Sequence, residues 1–230
     1  MARGTTGDDD ESPELRAEVD EVSAERLVFF SDAVVAIAIT LLALELPLPS
    51  APGGGPPTSA TSNHDFLVSL QANADQYIAF LISFIVIAAH WRGHHRVFRY
   101  VRSVGPILRW NMLWLLFIVV TPFATRVLNE DGGFQVRFIL YAAVQVLASV
   151  SFLAILWGIW RHDLLREGSP PGLVRSSTAR LSGLAATFLL SIPLAFVTPY
   201  AYFFWFAVPF AILVIRRIGD RFVPSGQGRR

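Results

Sequence analysis

The sequence predicts an all-α polytopic membrane protein with six transmembrane helices, and three observations carry that prediction. The 230 residues are 53% hydrophobic and only 16% charged, with a mean hydropathy of +0.48, too apolar for one ordinary soluble domain. Several uncharged runs approach the roughly 20 residues needed to cross a bilayer. The arginines gather in alternate loops, as the positive-inside rule requires of a multi-pass chain.

Residues 1–25 are polar and acidic, with Asp8, Asp9, Asp10 and Glu11 in a row, and lack the basic start and apolar centre of a signal peptide. They are expected to form a largely disordered cytoplasmic tail, any helix in it starting at Ser12. The first span covers 26–46 of the stretch RLVFFSDAVVAIAITLLALELPL and stops at Pro47 and Pro49. Asp32 lies inside the apolar run, and a carboxylate there needs a partner, so this helix faces something other than lipid alone. At 3.6 residues per turn Ile37, Leu41 and Leu44 share one stripe, with Thr40 beside it and Ala33 one turn below Ile37. Ala36, Ala38 and Ala43 flank it and let other helices approach.

Residues 50–63, rich in Pro, Gly and Ser, read as an exposed loop. A second span covers 66–91, with Asp75 in its first third, and runs into the polar cluster HWRGHHRVFRYVR. A third covers 107–125 and carries Asn111 and Pro122; a fourth, 136–160, has no charge between Phe138 and Trp160. The loop 161–175 contains the turn-rich break from Gly168 to Gly172. From Leu181 to Ile215 no residue is charged, and one helix of that length would reach about 50 Å, beyond a roughly 30 Å hydrocarbon core. Thr198, Pro199 and Tyr200 are therefore expected to turn the chain between spans 177–197 and 201–216. This divides the chain into an acidic tail (1–25), a six-helix domain (26–217) and a short tail (218–230).

Arg92, Arg96, Arg99, Arg102 and Arg109 lie between spans two and three. Arg161, Arg166 and Arg175 lie between four and five, and Arg216, Arg217 and Arg221 follow the sixth. The other side carries only Arg126 and Arg137, which places both termini in the cytoplasm and the protein in the cell membrane. A net charge of +1 gives no field for nucleic acid, and the lack of cysteine removes disulfides, thiolate metal sites and cysteine nucleophiles. All basic residues other than histidine are arginine, which suggests a GC-rich, bacterial coding bias.

Arg26, Phe30, Ser31 and Asp32 spell R-x-x-x-F-S-D at the start of the first span. This resembles the signature of the transmembrane protein 175 potassium channel family, whose bacterial members have one six-helix repeat per subunit. The resemblance extends to H-W-x-x-H-H-x-x-F at His90, Trp91, His94, His95 and Phe98, and to Asn111, Leu115, Pro122 and Phe123. It covers residues 26–123, the second half matching mainly in hydropathy. It implies a homotetramer in membrane lipid, with the first helices around a central pore, potassium as the permeant ion and no cofactor. In that family isoleucine and leucine side chains of this helix form a narrow constriction in place of a carbonyl-lined loop. The matching positions are Ile37, Leu41 and Leu44, with Thr40 near the outer part of the filter. No T-V-G-Y-G loop occurs in the chain, in keeping with that departure.

An aliphatic stripe without context is ordinary helix packing; here the motif before it makes a pore lining the preferred reading. For Arg26, Ser31 and Asp32 the plain alternative is a local cap and intrahelical pair, but a separation of six is not the three or four that pairs well on a helix. Partners on other helices are expected, with His90, His94, His95 and Asn111 at the same depth, in a network that holds the inner end of the pore helix. His90 and His94 share a face at i and i+4, yet no acidic residue or cysteine nearby completes a metal site. The competing functions are a secondary transporter of a cation or small solute and a membrane-embedded enzyme. Against the first stands the lack of a visible inverted repeat; against the second, the lack of a converging catalytic constellation.

Overall fold

Ser12 starts the first helix: its hydroxyl accepts the Leu15 N–H at 3.3 Å and Pro13 fills the first helical position. In the computed structural model, which describes residues 12–48, 63–198 and 201–205, the chain folds into α1 (Pro13–Leu44), α2 (Asn63–Ala72), α3 (Ala74–Phe98), α4 (Leu108–Leu128), α5 (Phe134–Arg161) and α6 (Leu173–Leu194). Residues 13–25 are thus continuous with the first helix, and residues 1–11 lie outside the described residues. With 32 residues α1 reaches about 48 Å, so one end projects beyond a roughly 30 Å hydrocarbon core. No strand is present among the described residues apart from one isolated bridge.

Four stretches are long and apolar enough to cross a membrane: Glu18–Leu44, Ala74–Phe98, Gly105–Leu128 and Phe134–Arg161. The protein is therefore an all-α, multi-pass membrane protein. The second expected span begins later than its hydropathy suggests. Asn73 leaves helical geometry and its side chain donates to the Ser69 carbonyl at 2.7 Å, which splits 66–91 into α2 and α3, and α3 runs on past Trp91 to Phe98. The fifth expected span is α6. The sixth opens with a single turn, Ala201–Phe203, and its residues from 206 onwards, like the loop 50–62 and the tail 218–230, lie outside the described residues.

The connections after α3 and after α5 meet. Val101 and Leu165 form the bridge, the Arg102 N–H donates to the Leu164 carbonyl at 2.9 Å, and the Arg166 N–H donates to Tyr100 at 2.8 Å. This fixes α3 and α5 as pointing the same way, with the N-termini of α4 and α6 at that end. Arg166 also pairs with Glu21 of α1 at 2.7 Å. At the opposite end Arg126 lies 3.5 Å from Glu45 and 3.7 Å from Glu130.

α5 packs between α4 and α6, while α1 lies against α3 and α4. One apolar cluster, around Phe98, Ile107, Trp114 and Phe152, fills the arginine-rich end; another, around Phe138, Tyr141, Phe188 and Trp205, fills the other. In their most apolar stretches 56% of α5 residues are buried but only 28% of α1 residues, the smallest share among the four membrane-capable helices.

Candidate functional site

Two faces of α1 divide the labour. Ala24, Leu27, Ser31, Val35, Ala38 and Leu42, spaced three or four apart, are buried and form the seam against α3 and α4. Ile37, Leu41 and Leu44 lie roughly 120° around the helix from that seam and are 59%, 40% and 80% exposed. Thr40 is exposed beside them, its hydroxyl donating back to the Ile37 carbonyl at 2.8 Å. Arg26 and Phe30 fall on the same stripe at the arginine-rich end and are also exposed.

The expected polar network is partly assembled. Ser31, fully buried, accepts from Asn111 Nδ2 of α4 at 3.0 Å, and Asn111 Oδ1 meets His94 Nε2 of α3 at 3.0 Å. One amide therefore ties three helices together. Both acceptor and donor sides of Asn111 are used, which is what burial of a polar side chain away from water demands. The His94 ring is stacked between Phe98, at 3.8 Å between centroids, and Trp114, at 4.6 Å. His90 accepts from Trp114 Nε1 at 3.3 Å and does not join the chain of bonds through Asn111.

Asp32 finds a partner that the acid-and-base inventory did not suggest: Trp91 Nε1 of α3 donates to Asp32 Oδ1 at 2.9 Å. Trp91 stands inside the H-W-x-x-H-H-x-x-F pattern, so its identity was legible and its bond was not. His95 is exposed, stacks on Trp91 at 5.6 Å and contacts Arg99 at 3.3 Å. Among the described residues Arg26 and Phe30 make no hydrogen bond or ion pair with this network, because their stripe points away from the Ser31 seam.

A second polar chain went unread in the sequence. Ser83 of α3 lies 2.7 Å from Thr125 and 3.0 Å from the Tyr141 hydroxyl, and Gln145 donates to Thr121 at 3.3 Å, all buried. Its signal was single polar residues at helical spacing inside apolar runs, which stitch membrane helices together. Among the described residues no group of three or more histidine, cysteine, aspartate or glutamate side chains is placed to hold a metal ion.

The fold and the site define a polytopic α-helical membrane protein whose motif-bearing first helix is held on one face by the other described helices. The model of the family described as endosomal/lysosomal potassium channel TMEM175 matches residues 26–122. A potassium channel of Streptomyces collinus is 34% identical over 181 residues, which is 75% of this chain and 82% of that one. The chain belongs to the TMEM175 family of ion channels, which are not enzymes. The crystal structure of a lysosomal potassium-selective channel TMEM175 homolog from Chamaesiphon minutus superposes with a TM-score of 0.65 at 26% identity, covering 84% of this chain and 97% of that one. The endosomal/lysosomal proton channel TMEM175 of Gallus gallus is 29% identical over 212 residues, and this chain spans only 42% of its length.

Proposed function

We propose that the chain is the subunit of a homotetrameric, potassium-permeable channel of the cell membrane, with four first helices around the pore. The observation that carries the reading is the exposed stripe of α1: among the described residues Ile37, Leu41 and Leu44 stay uncovered while the face about 120° away is packed. In this reading those side chains form the constriction and Thr40 lies beside it. Residues 26–217 make up the channel domain, between the tails 1–25 and 218–230, and both termini are cytoplasmic, at the arginine-rich end.

Rings of aliphatic side chains gate by dewetting, because an ion in a narrow apolar ring must shed hydration with nothing to replace it. Potassium gives up its shell more readily than sodium, so the pore prefers potassium modestly. Ser31, Asn111 and His94 hold the inner half of α1 and set its tilt, and Asp32 adds a second tether through Trp91; Arg26 and Phe30 continue the pore-facing stripe towards the cytoplasm, with His90 and His95 beside these tethers. The bacterial relative that matches most of its own length is named a potassium channel, whereas the vertebrate relatives named proton channels are matched over less than half of theirs, which favours potassium here.

The test is the reversal potential of the purified protein in a planar bilayer under a potassium/sodium gradient. A potassium-favouring value that moves towards zero in Ile37→Asn or Leu41→Asn supports the reading. Saturating, ion-coupled uptake without current would support a secondary transporter instead.

A further inference from the structure

The arginine-rich end contains a cavity whose charge is one-sided. It has a volume of about 490 Å3 and lies between the last turns of α3 and the start of α6, lined by Arg92, Arg96, Arg99 and Arg180 together with Trp91 and Tyr100. No carboxylate lines it. Among the described residues none of these four arginines pairs with an acid, while the arginines of the opposite end are tied down. There Arg126 lies against Glu45 and Glu130, and Arg137 donates to the Leu128 and Gly132 carbonyls. The first turn of α6 borders the same cavity without a side-chain cap, so the positive end of the helix dipole adds to the field.

Four guanidinium groups around one concavity, three of them exposed, concentrate positive charge there, and their planar forks match phosphate oxygens. The aromatic walls point to the membrane interface as the source of that anion. Trp91 is 37% exposed, and Trp157 and Trp160 at the same end of α5 are exposed too, the placement of indoles at headgroup level. We infer that this cavity binds the phosphate of an anionic phospholipid headgroup in the leaflet at the arginine-rich end. The bound lipid is also one side chain away from the first helix, because Trp91 both lines the cavity and donates to Asp32. This second step rests on the channel reading; the binding does not.

The test is the melting temperature of the purified full-length protein in detergent, titrated with short-chain phosphatidylglycerol, phosphatidylcholine or inorganic pyrophosphate. Phosphatidylglycerol is expected to raise it where phosphatidylcholine does not. In the Arg96→Gln, Arg180→Gln double variant the required concentration rises roughly 25-fold, since one arginine near an anionic surface is worth about five-fold in affinity. A rise with pyrophosphate as large as with the lipid would assign the site to soluble phosphates and overturn the lipid source. No rise with either anion, or one unchanged in the double variant while its unliganded melting is that of the parent, overturns the site. Trp91→Phe, which keeps the charge of the cavity, is expected to keep the melting shift and lose the response of potassium flux to phosphatidylglycerol. A retained flux response would overturn the link to α1 and leave the binding standing.

Discussion

Asn111 is the residue on which the grip on the first helix turns. Its amide spends both ends on buried partners, Ser31 and His94, and neither has water to fall back on. Asn111→Ala leaves both unpaired and is expected to cost about 1–3 kcal/mol, read as a lower melting temperature in detergent. Asp32 differs because its indole partner stands near the interface, where water replaces a lost bond. Asp32→Ala is therefore expected to change melting little and open probability strongly; parent-like assembly and currents would contradict its place in the tether. That Ser31, His94 and Asn111 lie at one depth was legible from the sequence, because the motif and the arginine-rich connection after the second span fall at the same end. The choice of Trp91 over a histidine for Asp32 was not, since it depends on the rotation of α3, which no spacing within α3 sets.

At the scale of elements, close packing at the arginine-rich end depends on one missing side chain. A Cβ on Gly158 of α5 would lie 2.6 Å from Ile107 Cγ2, in the turn that leads into α4. Gly158→Ala is expected to destabilise by about 1–3 kcal/mol, and adding Ile107→Ala should recover part of the melting temperature by removing the clash. Parent-like melting of the single variant would show that α4 and α5 slide freely there. Hydropathy located the spans of α3, α4 and α5 but misplaced the start of the second. The break at Asn73 is a local hydrogen bond to the Ser69 carbonyl, and an average over many residues does not register it.

For the whole molecule, the alternation of arginine-rich and arginine-poor connections carried most of the topology, and the bridge between Val101 and Leu165 joins two connections placed on one side by that pattern. The two faces of α1 were half legible. Spacing picked out Ile37, Leu41 and Leu44, but only packing shows that a different face, about 120° away, is the one the other described helices cover. The central claim is that the uncovered face lines water rather than lipid, and the chain's lack of cysteine makes a direct measurement clean. Single variants Leu41→Cys and Leu42→Cys, in bilayers under potassium current, are exposed to a charged, membrane-impermeant methanethiosulfonate reagent. The account predicts rapid loss of current in Leu41→Cys and none in Leu42→Cys; current that survives in Leu41→Cys, with Leu42→Cys equal to it, would contradict a pore lined by this face.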